Sequence, residues 1–338
     1  MKNTKAFAWI TWEDHRRSRE LADAFGAEYV LLQYKGPRWI RYMVLGFRTV
    51  SFVARCRERL FFCQNPSIVL AVLLCMLRKP LGFPLVVDRH SNFKPHTKNS
   101  WHPKWRVFHA LSRWTTRKAD LTIVTNDYLA RVVQGWGGDA VILQDKLPDL
   151  HPTRPPRYPE CFSPDRGYSV MCVTSYGDDE PIEDLVRALA SMPDVTAYMT
   201  GNYDRTRLGK SKDQLEEQGV VLTGFISEQD YVDLMAAVDA VVVLTIRDDI
   251  LTCGAYEAVS LRKPLVLSDT EVLRNYFGAQ PIYVKPTADS IADGVHRVTK
   301  SHGGADEVKL EEWVNHLEEE WQERFESVQR EVQKLAQC

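Results

Sequence analysis

Twelve short apolar runs, separated by segments of helical periodicity, recur along the whole of this 338-residue chain. They fall at 6–10, 29–32, 60–63, 85–88, 121–124 and 140–143, and again at 168–173, 196–199, 220–223, 240–244, 265–267 and 282–284. Runs this short and this continuous suit strands buried on both faces, whereas a helix needs roughly ten or more residues and usually shows a polar stripe. Helices such as 182–190, 228–238 and 289–299 fit between them. Strand, helix, strand repeated in this way is the grammar of a parallel sheet wrapped by helices. The predicted fold class is α/β, with two Rossmann-like domains facing a cleft.

The two series of strands set the domain limits. Residues 1–150 form an N-terminal domain, the proline-rich stretch 151–166 reads as an extended linker, and 167–305 form a second domain. The chain closes with an acidic segment, 306–338, in which Leu310, Trp313, Val314, Leu317, Trp321, Phe325 and Val328 recur at helical spacing. It is expected to be one helix packing back on the N-terminal domain. Charge is unevenly shared: residues 1–150 carry 24 Lys and Arg against 12 Asp and Glu, and the remainder 19 against 33. A basic domain suits an anionic partner such as a membrane surface; the alternative is that the two halves attract each other. The seven cysteines show no Cys-x-x-Cys spacing, which argues against a zinc site or a disulfide framework and for a reducing compartment. The longest apolar segment, 68–77, is about half the ~20 residues that a membrane span requires, and residues 1–15 lack a signal-peptide pattern.

The segment richest in chemistry is 247–258, Arg-Asp-Asp-Ile-Leu-Thr-Cys-Gly-Ala-Tyr-Glu-Ala. It leaves a buried strand, enters a helix and is followed by a second strand, so it forms the loop of a βαβ unit. Asp249 and Glu257 place carboxylates in the loop and on the helix. Gly254 would let the backbone approach a ligand, and the helix start would favour a diphosphate. Ligands of open α/β sheets bind beyond the carboxyl ends of the strands.

Taken with Gly224-Phe225-Ile226-Ser227, Tyr231, Leu234, the run 237–244 and Lys263-Pro264, the pattern Asp249-x7-Glu257-Ala258 resembles the donor domain of glycosyltransferase family 4. That family has the GT-B architecture, and its motif is Glu-x7-Glu. In the N-terminal half, Gln64-Asn65-Pro66-Ser67, the segment 85–93 with Asp88, Arg89, His90, Ser91 and Asn92, Val124-Thr125-Asn126-Asp127, and 143–148 are similar to another group. They follow the order of the β-1,4-mannosyltransferases that extend chitobiosyldiphosphodolichol. The resemblance implies a nucleotide-diphosphate sugar as co-substrate, GDP or UDP, with GDP-mannose favoured and no further cofactor. It also implies a lipid-diphosphate-linked saccharide as acceptor and an inverting transfer. The donor-binding set it implies is Arg247, Asp249, Thr252, Cys253, Gly254 and Glu257, with Ser175, Gly201 and Phe225. Glu257 would accept from the ribose and Asp249 from sugar hydroxyls, since a carboxylate takes two hydroxyls at once. The competing reading makes Asp249 a helix cap and Glu257 a surface residue. The first loop of this domain, 175–180, holds no basic residue, so Arg247 or helix N–H groups would meet the phosphates.

An acceptor hydroxyl needs a base, and Asp88 and His90, just past a buried strand, are the first candidates. Asp14, between Glu13 and His15, is the second; the alternative there is a helix start that welcomes acids. Arg38, Trp39 and Arg41 open a basic, aromatic helical segment that continues through Arg48, Arg55, Arg57 and Arg59, and Lys94 and Lys98 open another. Both suit acceptor binding at an anionic membrane surface, with a cytoplasmic, peripheral location. No nucleic-acid recognition module is present in the sequence. Asp178-Asp179 and Asp248-Asp249 read as caps or sugar contacts, so no metal is expected. Two rivals to a transferase share these features: a nucleotide-sugar epimerase, and a non-catalytic subunit of a glycosyltransferase complex.

Overall fold

The computed structural model describes residues 6–56, 59–64, 68–90, 93–155, 157–163, 167–203, 212–300 and 305–337. Arg57, Asn65–Ser67 and Ser91–Asn92 of the segments above lie outside the described residues. The chain divides into two compact units, Met1–Lys146 with Glu320–Cys338, and Leu147–Glu319.

The first unit holds β1 (Phe7–Thr11), β2 (Glu28–Leu31), β3 (Leu60–Gln64), β4 (Leu85–Asp88), β5 (Leu121–Val124) and β6 (Ala140–Ile142). They form one parallel sheet in the order β2-β1-β3-β4-β5-β6. Its helices are α1 (Arg16–Ala24), α2 (Arg38–Arg55), α3 (Ile68–Leu81), α4 (Pro103–Lys118) and α5 (Asp127–Gly135), with a 3-10 turn at Pro95–Thr97. Strand side chains alternate between two cores. Trp9, Phe62, Val86 and Ile123 pack with Leu21 and Phe25 of α1. Ala8, Ile10, Phe61, Cys63 and Val87 pack with Leu45 of α2 and Leu70 and Leu74 of α3. β3, β4 and β5 are buried at every position, which is why they read as unbroken apolar runs.

The second unit repeats the plan with β7 (Tyr168–Cys172), β8 (Val195–Thr200), β9 (Val220–Gly224), β10 (Ala240–Val243), β11 (Leu265–Ser268) and β12 (Ile282–Val284). The sheet is parallel, in the order β12-β11-β10-β7-β8-β9. Its helices are α6 (Ile182–Ala190), α7 (Lys212–Glu216), α8 (Glu228–Ala237), α9 (Cys253–Ser260), α10 (Glu271–Phe277) and α11 (Ala288–Lys300). α6 and α11 cover one face, with Val170, Cys172 and Val242. α8, α9 and α10 cover the other, with Met171, Val241 and Val243. The helices that leave the neighbouring strands β7 and β10 therefore go to opposite faces. This is the switch point at which open α/β sheets leave a crevice at the strands' carboxyl ends.

Two segments differ from the sequence reading. The described residues of 151–166 belong to the second unit, and Thr153 and Arg157 among them are bonded to α8. Thr153 donates from its N–H and Oγ1 to the two oxygens of Asp233, both at 2.7 Å, and Arg157 pairs with Asp230 at 3.0 Å. The closing helix, α12 (Ala305–Gln337), is shared between the units. Trp313, Val314 and Leu317 enter the core of the second unit, and Trp321, Phe325, Val328 and Val332 that of the first. Both indoles are satisfied: Trp313 donates to the Phe277 carbonyl at 3.1 Å and Trp321 to that of Gln144 at 3.0 Å.

Candidate functional site

In the second unit, the loops that follow β7 and β10 are tied together. Thr245 Oγ1 and the Ile246 N–H both donate to the Asp179 carbonyl, at 3.2 and 2.7 Å. The Thr245 N–H donates to Ser268 Oγ at 2.8 Å, which links the same loop to β11. Gly254, the second residue of α9, lies against this cluster. A Cβ there would lie 2.8 Å from a Val173 methyl, so the glycine admits the helix to the chain leaving β7. Packing against Val173 therefore requires the glycine whether or not a ligand approaches it. Gly201 does the same at the end of β8, where its φ is +93° and a Cβ would lie 2.4 Å from the Thr174 carbonyl oxygen.

The charged groups of this cluster are engaged with one another. Arg247 Nε and Nη2 donate to the two oxygens of Asp249 at 3.0 and 2.7 Å, a bidentate pair with Asp249 buried. The hydrogen bond to Asp249 raises the Arg247 pKa above its ordinary value. The cation expected at the phosphates and the carboxylate expected at the sugar thus hold each other. Asp249 does not cap α9; Thr252 takes the N-cap position, without a side-chain cap, and its buried Oγ1 has no hydrogen-bond partner among the described residues. Glu257 is no solvated surface residue either: its Oε2 accepts from Tyr231 on α8 at 2.7 Å. Cys253 is exposed beside it. In the first loop, Glu180 accepts from the Ser175 N–H at 3.0 Å and from its Oγ at 2.8 Å, so these donors already face a carboxylate. Phe225, 81% exposed, follows the edge strand β9 and stands apart from β10. The fold thus gathers the residues of the β10–α9 loop with Ser175 and Gly201. Tyr231 and Glu180 join them with no local signal beyond helix spacing and one carboxylate in a loop.

In the first unit, Asp88 ends β4 and is fully buried, yet charged partners surround it. Arg17 of α1 reaches it through Nε at 3.1 Å and Nη2 at 2.8 Å. The same guanidinium donates to Asp145 at 2.7 Å and to the Leu143 carbonyl at 2.9 Å. Burial opposes each charge, but Arg17 and then His90 outweigh it and hold Asp88 below the usual carboxylate range. The two aspartates likewise raise Arg17 above its ordinary value against burial. An ionised carboxylate only accepts, so the 3.0 Å contact between Asp88 Oδ2 and His90 Nδ1 is donated by the imidazole. In the neutral ring, Nε2 is then the basic nitrogen. Asp88 is an orienting group rather than a base: it has no exposed surface and no tendency to take a proton. Asp14 lies on the surface, where Arg19 and Tyr29 donate to its two oxygens at 2.6 and 2.9 Å. Neither Arg17 nor Asp145 was among the expected site residues; an arginine between Arg16 and Arg19 carries no local mark of burial.

The basic, aromatic segments separate. On α2, Leu45, Thr49 and Val53 face the core, while Trp39, Met43 and Phe47, spaced by four, are 67%, 66% and 76% exposed. Arg38 and Arg41 stack on Tyr42 beside this apolar stripe. Lys94, with a left-handed φ of 50°, and Lys98 flank the 3-10 turn. Among the described residues no three His, Cys, Asp or Glu side chains group as a metal site requires. No described helix is long and apolar enough to cross a membrane.

Two doubly wound parallel sheets, each with a switch point, define the GT-B class of architecture. Sucrose-phosphate synthase from Thermosynechococcus elongatus is similar to this chain, with a TM-score of 0.65 at 17% identity, covering 96% of this chain and 84% of that one. HepE from Anabaena in complex with UDP is similar at 0.68 and 14%, over 97% and 90%. α,α-Trehalose 6-phosphate synthase from Burkholderia multivorans is similar at 0.63 and 14%, over 89% and 79%. Residues 13–142 match the family described as Glycosyltransferase Family 4, and the fold is that of the GT-B structures above. That match falls on the first unit, whereas the motif resemblance to this family was drawn from the second. No curated protein matches the sequence.

Proposed function

We propose that the protein is a glycosyltransferase that moves a sugar from a nucleotide-diphosphate sugar, with GDP-mannose favoured, to a lipid-diphosphate-linked saccharide in surface-glycan synthesis. The observation that carries the reading is the buried Arg17–Asp88–His90 relay at the end of β4, inside the segment matched to the family. A neutral imidazole held by an ionised carboxylate is the device a hydroxyl nucleophile needs. His90 Nε2 takes the proton of the acceptor hydroxyl, whose oxygen forms a bond to the anomeric carbon as the bond to the diphosphate breaks. The proton stays on the imidazolium beside Asp88, and the nucleoside diphosphate leaves with the electron pair.

In the second unit, Glu257, oriented by Tyr231, suits the ribose hydroxyls. The unpartnered Thr252 hydroxyl and the start of α9 suit the leaving phosphate. The pair with Asp249 uses two of the five N–H donors of Arg247, so Asp249 orients the guanidinium while its remaining donors meet the phosphate. The exposed Trp39–Met43–Phe47 stripe among arginines supports peripheral contact with the cytoplasmic face of an anionic membrane. HepE has been crystallised with UDP-glucose, which supports a nucleotide-sugar donor and favours a UDP-sugar as the second reading.

The test is release of GDP from GDP-mannose and of UDP from UDP-glucose, with and without a lipid-diphosphate-linked saccharide. Acceptor-dependent release from one donor is expected, falling about 10²- to 10⁴-fold in His90→Ala with donor affinity unchanged. Full activity in His90→Ala overturns the relay. Acceptor-independent conversion to an isomeric sugar nucleotide replaces the transferase with an epimerase.

A further inference from the structure

The first unit has a cavity of about 620 Å³ beside the 3-10 turn Pro95–Thr97, walled on one side by α4. Lys98, Arg106, Arg113 and Arg117 line it, and no carboxylate among the described residues does. Arg106, Arg113 and Arg117 recur at intervals of seven and four, so one face of α4 carries all three. None of Lys98, Arg106 and Arg113 makes an ion pair among the described residues, whereas the arginines of the Asp88 relay and of the β10 loop are all paired.

The wall behind these cations is built. His109 is buried, and its Nε2 lies 2.9 Å from Thr97 Oγ1, which itself donates to the Lys94 carbonyl. The histidine is therefore the donor in that contact, and the turn is fixed against α4. Arg117 Nε donates to the Trp136 carbonyl at 2.6 Å, which holds its guanidinium in place. Deeper in the unit, Arg89 is buried and stacks on Phe93 and Trp136, at 4.5 and 5.4 Å. Its Nη1 donates to the Ser112 carbonyl, and Nε and Nη2 have no partner among the described residues. A buried guanidinium with no carboxylate adds positive potential to a wall that already carries four cations. The indoles of Trp101 and Trp114 line the same cavity and offer flat apolar surface next to the charges.

We propose that this cavity binds a phosphate-bearing anion of the diphosphate class, held by Lys98, Arg106 and Arg113, with room beside the indoles for the group that carries it. The assignment is independent of the donor chemistry proposed above. A lipid headgroup and a soluble phosphate share this chemistry.

The test is calorimetric titration of the full-length protein with inorganic pyrophosphate at low salt. Three proteins are compared: wild type, Arg106→Glu/Arg113→Glu, and Arg187→Glu/Arg297→Glu, which makes the same charge change at exposed positions of α6 and α11. Arg106 and Arg113 are exposed, so their reversal leaves the core untouched. Wild type and the second-unit variant are expected to bind alike, and the α4 variant at least about tenfold more weakly. Affinity should fall as salt shortens the screening length below roughly 10 Å. Arg247→Ala, which removes the cation offered to the donor phosphates, should keep its pyrophosphate affinity, which separates this site from the donor site. Competition by phosphatidylcholine vesicles containing phosphatidic acid, and not by phosphatidylcholine alone, assigns the site to a lipid-borne phosphate. Persistence of binding against both vesicles assigns it to a soluble one, and either result supports the site. Absence of binding in wild type, or equal affinity of the two charge-reversal variants, overturns it.

Discussion

Replacing Arg17 by methionine removes the guanidinium from the centre of the first unit while nearly preserving volume. Five hydrogen bonds are lost at once: three to Asp88, one to Asp145 and one to the Leu143 carbonyl. The larger consequence is that Asp88, with no exposed surface, loses its cation and keeps only the hydrogen bond from His90 among the described side chains. Breaking a buried pair from one side costs about 3–5 kcal/mol, because the remaining charge is left in a poorly solvating interior. For a unit of this size that lowers the Tm by roughly 10 °C. The pH dependence should invert as well. In the native protein the folded pKa of Asp88 is depressed below its ordinary 3.8, so its stabilisation is present above that value and is lost as pH falls through the folded pKa. Without Arg17, burial dominates and raises the folded pKa, so Arg17→Met should become more stable as the solution is acidified from neutrality toward pH 4. Urea denaturation followed by circular dichroism between pH 4 and 8 reads both effects. The double variant Arg17→Met/Asp88→Asn should recover at least half of the loss, since it removes the stranded charge. A single variant within about 0.5 kcal/mol of wild type, or a double variant no better than the single, would refute the reasoning.

Three further outcomes follow from the same geometry. Gly254→Ala forces a methyl against Val173 and should cost about 1–3 kcal/mol in thermal unfolding, together with a loss of nucleotide affinity. Glu180→Ala leaves the Ser175 N–H and hydroxyl without their carboxylate and should tighten nucleoside-diphosphate binding about two- to fivefold by calorimetry, whereas Glu180→Gln should change it less. His109 is held below its ordinary 6.5, first by burial and then by Arg113, so the unfolded chain takes up a proton that the folded one refuses. Stability should therefore fall as pH drops below about 6.5, and His109→Gln should flatten that fall in a thermal melt series.

The architecture was open to reading because of the way parallel sheets are buried. β3, β4 and β5 are covered on both faces, so each shows as an uninterrupted apolar run, and all twelve strands lie where such runs predict them. α6, at Ile182–Ala190, needed only its amphipathic spacing. Contacts between distant positions were not open in the same way. Arg17 and Asp88 are 71 positions apart, and nothing in α1 distinguishes a buried arginine from its solvated neighbours. The β10 loop showed its residue types but not their pairing: Arg247 and Asp249 read as a phosphate cation and a sugar carboxylate, yet two positions of loop bring them into one bidentate pair. α12 showed its period plainly, but period alone does not say which core each turn enters. On α2 the sequence showed a basic, aromatic segment but not its sides; the fold turns Leu45 and Val53 inward and leaves Trp39, Met43 and Phe47 outward.

The central claim is that the second unit binds a nucleotide-diphosphate sugar through the β10–α9 loop, and calorimetry of GDP-mannose and UDP-glucose on wild type, Glu257→Ala and Asp249→Asn tests it most directly. One donor should bind at a single site, and each substitution should weaken it about tenfold or more, the loss of hydrogen bonds to a charged group being worth roughly 1.5–3 kcal/mol. Binding of neither donor by the wild type, or equal affinity in all three proteins, would contradict it.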